Sequence, residues 1–414
     1  MITMASLQQR GREQLAHLQP PTGQEEEWQY LRPAQMLPSV TTTEGQPLAP
    51  HDAPWQPHLI PEAHHGLWVN GRWCCPSALG LEQSGLWFGT LGPHPSEDPL
   101  WQRLAGMISQ HPATQDYFGY CNLAALGEVA VLYVPKNRAI AQPIQILSYA
   151  AAKPQGDCLW VQPRCLVVLE AGSRATLVET WLSEDGAPLW HNGVTEIYLD
   201  DGAHLDHVMV QQEGSHTLHF QTTALSQASH SAYRGYGMAL GGHIARQTIQ
   251  VQQGGPATDT ALSGLIYGAA DQHQELYTTI DLGHPHGTSR HLQKVILGDR
   301  AHGVFRGKIQ VGQRAQETNA AQLSRTLLRS PKSRIDTQPQ LEILADNVKC
   351  SHGVTVSQLD ADELFYLLSR GIDPPAAARL LSYGFAAEVV TQIPIPSVRS
   401  ALEAWLMQHT ASGL

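Results

Sequence analysis

Between about Cys121 and Gln322 the apolar positions fall in short runs broken by glycine-centred turns, and no long stretch repeats at the helical period. Cys165 to Leu169, the turn Glu170-Ala171-Gly172-Ser173 and Ala175 to Trp181 are echoed by Thr195 to Leu199, Asp200-Asp201-Gly202-Ala203 and His204 to Val210. Further runs follow at Gln247 to Gln252, Ala261 to Tyr267, Glu275 to Leu282, Leu292 to Leu297 and Gly303 to Val311. One strand–turn unit recurring in this way predicts a solenoid, in which each coil buries its apolar side chains against the next. A β-sandwich also shows closely spaced strands. The lack of paired hairpins after Gly71 favours the solenoid.

The flanks carry other periods. Leu7, Leu15 and Leu18 share one side of a helical projection from Ser6 to Leu18, which predicts an amphipathic helix ended by Pro20-Pro21. Pro33 to Pro61 reads as an extended connector. In Leu67-Trp68-Val69-Asn70-Gly71-Arg72-Trp73 an Asn-Gly pair between strand formers predicts a hairpin. Toward the C-terminus, Asp360 or Asp362 can cap a helix through Leu364, Phe365, Leu367 and Leu368 that Gly371 stops. Asp373-Pro374 starts a second with Leu381, Phe385 and Val389 in register, and Val398, Leu402, Trp405 and Leu406 stripe a third. Three such helices beyond a solenoid are expected to cap its open end. The predicted organisation is therefore a helical region and connector at 1–62, a transition segment at 63–120, a β core at 121–345 and a C-terminal strand with helices at 346–414.

Composition narrows the function classes. The chain has 414 residues, 26 Lys plus Arg against 37 Asp plus Glu and a net charge of -11, which disfavours a nucleic-acid partner. No apolar run of about 18 residues is present to span a membrane, and Met1 to Leu18 lacks an apolar signal core, so a cytoplasmic protein is expected. Six cysteines in a chain of this length do not make a disulfide framework. Cys74 and Cys75 are adjacent and no C-x-x-C pair occurs. Of the 21 histidines, His64-His65, His204 with His207, and His284-Pro285-His286 lie closest together, without a third ligand at zinc spacing. Gly303-Val304-Phe305-Arg306-Gly307-Lys308-Ile309 is too short for a phosphate loop and lacks its hydroxyl, so no ATP hydrolysis is expected of this chain. Gly235-Tyr236-Gly237-Met238-Ala239-Leu240-Gly241 misses the dinucleotide pattern by one residue. The run Glu25-Glu26-Glu27 reads as a solvated face.

One pairing stands out. In Leu341-Glu342-Ile343-Leu344-Ala345-Asp346-Asn347-Val348-Lys349-Cys350-Ser351-His352-Gly353 a thiol and an imidazole sit two residues apart among strand formers, which puts both on one face. Cys and His together suit zinc, copper or an iron–sulfur cluster. Two ligands do not complete a site, so either other residues or a second chain supply the rest, or the pair is a packed Cys beside a hydrogen-bonded His.

The stretch from Thr337 to Gly353, continued by Leu364-Phe365-Tyr366-Leu367-Leu368-Ser369-Arg370-Gly371-Ile372, resembles the SufD family of iron–sulfur cluster assembly proteins. The likeness extends through Glu317-Thr318-Asn319-Ala320-Ala321-Gln322 and Gly303 to Ile309, and more weakly through Glu26 to Leu31 and Val69-Asn70-Gly71. Gly353 follows His352 where the related SufB scaffold has glutamate; Arg329, Gln338 and Asn347 depart from the usual pattern without touching Cys350 or His352. The resemblance implies a mainly β protein, with a right-handed parallel β-helix core between helical N-terminal and C-terminal domains. It further implies a non-catalytic subunit that pairs with SufB through the β-helix and binds the ATPase SufC through the C-terminal helices, with a homodimer open to the isolated chain. A transient iron–sulfur cluster at the SufB interface would take His352, with Cys350 its neighbour, and a flavin in the complex stays open. The alternative from another class is a β-helix polysaccharide lyase, but Glu170, Glu179, Asp200 and Asp201 lie near turns without forming a cluster of carboxylates and bases.

Overall fold

The computed structural model describes residues 1–38, 41–42, 53–74, 85–92, 96–151 and 157–409. Cys75 and part of the Pro33 to Pro61 connector lie outside them. In chain order come α1 (Met4–Leu15), α2 (Pro33–Met36), β1 (Thr41–Thr42), β2 (His64–Val69), β3 (Arg72–Trp73), β4 (Trp87–Leu91), α3 (Pro99–Met107) and α4 (Tyr117–Ala124). The solenoid strands follow: β5 (Val129–Val134), β6 (Ile144–Ala150), β7 (Cys158–Val161), β8 (Arg164–Leu169), β9 (Arg174–Ser183), β10 (Leu189–Leu199), β11 (His204–Gln212), β12 (Thr217–Gln227), β13 (Ala232–Ala239), β14 (Ile244–Gln253), β15 (Asp259–Gly268), β16 (His273–Leu282), β17 (Thr288–Leu297), β18 (His302–Val311), β19 (Asn319–Leu328), β20 (Arg334–Ile343) and β21 (Lys349–Ser357). Last are α5 (Ala361–Ser369), α6 (Pro374–Val390) and α7 (Pro396–His409).

From β8 onward, strands alternate between two sheets, one running β8-β10-β12-β14-β16-β18-β20 and the other β9-β11-β13-β15-β17-β19-β21, all pairs parallel. His204 faces Ala232, which faces Asp259, which faces Thr288, so these coils take 27–29 residues. The result is a parallel β-solenoid of about 7 turns with helices at the termini, as the strand–turn recurrence predicts. Every run named from the sequence lies within a strand. Among the strands that went unpredicted, β12, β13 and β19 are rich in Gln, Ser, Thr, Ala or Gly, and most of their inward residues are polar or small. The segment Gly235 to Ala239 is part of β13 rather than a loop entering a helix.

The predicted hairpin forms, with Trp68 opposite Trp73 and Val69 opposite Arg72. Asn70 and Gly71 take φ of 50° and 75°, as a two-residue mirror-image turn requires. This end of the solenoid is plugged by Trp68, Trp73 and Phe88, whose rings meet edge to face at 5.2 and 6.1 Å. The helical unit packs on the outer face of β5 and β8 through Leu104, Ile108, Leu123, Val131 and Leu166. A buried ion pair pins it. Arg164 and Glu196 are both fully buried at 2.7 Å, Arg164 also bonds Asn122 of α4, and Glu196 accepts from the Ser109 N–H. α1 is set by the Thr3–Ser6 capping box and ends at Leu15, so its buried side is Met4, Leu7 and Gly11, and Leu18 lies beyond it.

The C-terminal helices differ from expectation in position. α6 and α7 lie across the outer face of the second sheet, where Val389, Val390, Leu402 and Leu406 pack on Val208, Met238, Leu265 and Ile296. They leave the last coil uncapped, with β20 and β21 at the sheet edges. The reason is the composition of α6. Its buried side is Ala377, Ala378, Ser382 and Ala386, small enough for close approach to a flat sheet, whereas Leu381 and Phe385 are only half-buried. Each fully buried Val, Leu or Ile of this layer contributes about 1.5–3 kcal/mol. Lys294 to Glu388 at 2.6 Å and Ser263 to Gln392 at 2.8 Å fix the register.

Candidate functional site

The expected ligand pair lies on β21, the outermost strand of its sheet. Its register on β19 sets Cys350 beside Ala320 and His352 beside Gln322. Ala320 and Gln322 are buried and face the solenoid interior, so Cys350, His352, Val354 and Val356 line the corresponding face of the last coil. Among the described residues no further coil covers that face. Cys350 is half-buried against the core, and His352 is exposed and makes no hydrogen bond or ion pair among the described residues. Burial pushes the Cys350 thiol up, against a lowering hydrogen bond from the Ala320 backbone, so it is protonated at neutral pH and a metal must displace that proton. The structure thus places thiol and imidazole on one side of an open coil, and no third metal ligand joins them among the described residues.

The surroundings are exposed strand edges and apolar side chains. β20 and β21 run 10 and 9 residues with no neighbour on their outer edges among the described residues. Soluble proteins seldom leave edges of this length bare. Ile343, Leu344, Val354 and Val356 are 40%, 72%, 38% and 48% exposed at the same end. Immediately beyond, α5 is capped by Asp360, which accepts from the Asp362 and Glu363 N–H groups, and Gly371 follows with φ of 82°. α5 buries none of its residues, and Phe365 and Tyr366 are 71% and 56% exposed.

The other histidine groups resolve into ordinary packing. His65 bonds the Ile60 carbonyl, His204 pairs with Asp206 at 3.2 Å, and His286 meets Glu317 at the surface. Glu26 ion-pairs with Arg306, and the Glu27 carbonyl accepts from Arg246, whose guanidinium is sandwiched between Trp28 at 3.7 Å and Tyr277 at 3.8 Å. Glu25, Glu26 and Glu27 are exposed, as expected of a solvated face, while this segment's backbone and Trp28 strap it to the first sheet. Glu170 binds Arg103, and Glu179 is buried against Thr195 and His207, so the carboxylates weighed for a lyase are engaged separately.

A family profile described as SUF system FeS cluster assembly, SufBD core domain, matches residues 151–385. The chain belongs to this family. It is 35% identical over 406 residues to an iron–sulfur cluster assembly SufBD family protein of Synechocystis, covering 94% of this chain and 87% of that protein. It is 31% identical over 285 residues to the iron–sulfur cluster assembly protein SufD of Escherichia coli, covering 69% and 67%. It is 33% identical over 320 residues to the chloroplastic protein ABCI7 of Arabidopsis thaliana, covering 76% and 67%. The matched SufBD core spans the solenoid from β7 through β21 and runs into α6, taking in Cys350 and His352. Iron–sulfur cluster assembly is therefore the process in which this SufBD protein takes part. No described helix is long and apolar enough to cross a membrane.

The sequence missed one group that the fold assembles: His191, Glu213 and His219 meet in the solenoid interior. The signal available was spacing. His191 and His219 are 28 residues apart, one coil length, and they are register partners on β10 and β12.

Proposed function

We propose that this SufBD chain is a non-catalytic scaffold subunit that pairs with SufB through its last coil and docks the SufC ATPase through its C-terminal helices. The observation carrying this reading is the bare end of the solenoid, where Cys350 and His352 stand on a face lined by Val354 and Val356 with unpaired strand edges on either side. A second β-solenoid laid against β20 and β21 extends the ladders, covers the exposed apolar residues and brings its own thiol or carboxylate to the pair. Iron and sulfide are cargo at that junction. His352 is the ligand supplied by this chain, with Cys350 beside it, and the shared site accounts for iron acquisition by the complex and for the missing half of the coordination sphere.

SufC docks on α5 and the adjoining helices, whose Phe365, Tyr366 and Leu368 face solvent. ATP-driven approach of two SufC subunits then pulls on a segment joined directly to β21, opening the junction to iron and sulfide. Isolated from its partners, the chain satisfies the same edge by pairing with a second copy.

The deciding experiment co-expresses the chain with SufB and SufC and replaces His352 by Ala. Bound iron and acid-labile sulfide fall sharply while the complex stays assembled; unaltered loading removes His352 from the site. The visible spectrum of the same preparation tests for a flavin. Thiol labelling of Cys350 in the complex accelerates on ATP addition, and an unchanged rate ends the opening mechanism.

A further inference from the structure

A second donor cluster lies inside the solenoid, away from the open end. His191 on β10 and His219 on β12 are paired residues of neighbouring coils, with ring centroids 4.8 Å apart. Glu213, just past β11, reaches between them: Oε1 lies 2.8 Å from His191 Nδ1 and Oε2 lies 2.6 Å from His219 Nδ1. All three side chains are buried to within 1% of complete. Gln211 donates to Glu213 Oε2 at 3.1 Å and accepts from the Gly241 N–H, which fixes the carboxylate in place.

Hydrogen bonding within the chain does not satisfy this group. Nε2 of His191 and Nε2 of His219 lack a hydrogen-bond partner, while each Nδ1 faces only Glu213. His207 supplies the contrast. In the same interior its two nitrogens are both used, Nε2 at 2.8 Å from Glu179 and Nδ1 at 2.9 Å from the Tyr233 hydroxyl. Glu213 has no Lys or Arg ion-pair partner among the described residues. A buried carboxylate without a Lys or Arg partner, beside two imidazoles with unpartnered ring nitrogens, is an arrangement that a dication stabilises.

The geometry points to a buried divalent transition-metal site, for an ion of the zinc or ferrous class, held by His191, Glu213 and His219. Two imidazoles and a carboxylate select borderline ions over calcium or magnesium. One donor atom from each residue lies within 4.8 Å of the others. Ligands of a four-coordinate zinc stand roughly 3.3 Å apart, so the Glu213 contacts open by about half an ångström and the widest donor pair, within 4.8 Å, closes by side-chain rotation. Such an ion cross-links β10, β11 and β12 as a structural pin. It is independent of the Cys350–His352 pair, which lies on β21.

The test uses Co2+ as a spectroscopic probe. The full chain carrying Cys350→Ala and His352→Ala is refolded from denaturant with Co2+ and dialysed against a chelator. It retains one cobalt per chain, with visible d–d bands and no thiolate-to-cobalt charge transfer, and its thermal midpoint rises over the metal-free protein. Adding Glu213→Gln or His219→Gln to that background lowers retained cobalt by at least roughly tenfold while the circular dichroism of the β fold persists. The proposal is overturned if the double variant retains no cobalt, or if a folded Glu213→Gln chain retains it undiminished. Should Glu213→Gln not fold, retention and spectrum of the double variant alone decide. Because both terminal ligands are absent throughout, the outcome is separate from the fate of the proposed cluster site.

Discussion

The two ends of the solenoid are built from the same kind of coil and finished in opposite ways. At the first end the ladder stops in antiparallel pairings, β3 on β2 and β4 on β5, and the interior is sealed by Trp68, Trp73 and Phe88. At the last end β20 and β21 stop with bare edges, and the inward positions carry Cys350, His352, Val354 and Val356 with nothing over them. A sealed end completes a folded unit, whereas an unsealed one is a surface left for another molecule. The candidate ligands stand at the unsealed end.

Substitutions at the two ends test that contrast. Phe88→Ala, at a residue 2% exposed, lowers stability by about 3–5 kcal/mol in denaturant unfolding. Val356→Ala, 48% exposed, costs less than about 1 kcal/mol in the isolated chain. Equal losses would mean that the last coil is packed as tightly as the first, and the proposed interface would go with it.

Acid sharpens the same contrast through the closed interior. Burial pushes His291 down to about 4, with a hydrogen bond to Gln293 opposing. Between that value and an unfolded pKa near 6.5, the unfolded chain takes a proton that the native chain refuses. Stability is therefore fully present above about pH 6.5 and falls as the pH drops toward 4, by about 3 kcal/mol from this residue. His291→Gln flattens that part of the stability–pH curve, and an unchanged curve would refute the assignment.

Glycines give a smaller comparison. A Cβ at Gly66 would lie 2.1 Å from the Trp73 ring and 2.8 Å from Phe88, so Gly66→Ala costs about 1–3 kcal/mol. At Gly353 the nearest atom is the Leu323 methyl at 3.2 Å, and Gly353→Ala changes stability by less than about 1 kcal/mol, read by thermal unfolding. The smallest effect on folding belongs to α5: Phe365→Asp shifts stability by less than about 0.5 kcal/mol yet abolishes co-purification with SufC. A large loss of stability in the isolated chain would instead show Phe365 to be part of the core.

Much of this was legible in residue order. Alternation and glycine turns marked nine of the solenoid strands, Asn70-Gly71 marked the hairpin, and Asp360, Gly371 and Asp373-Pro374 marked helix ends, because each depends on backbone preferences acting over a few residues. The pairing of Cys350 with His352 was legible for the same reason, since strand geometry alone puts residues two apart on one face. Strands β12 and β19 escaped because buried Gln221, Thr223, Gln322 and Ser324 carry no apolar signal; neighbouring coils bury them.

The order of residues by itself determined a coiled β protein with helices at its ends, and a thiol and imidazole displayed together near the last strand. Only the tertiary structure decided that α6 and α7 lie along a sheet face instead of over the end, that β20 and β21 are left bare, and that His191, Glu213 and His219 meet. Those outcomes depend on which surfaces are apolar after the coils have stacked, and on a register between residues one coil apart, and no local preference encodes either.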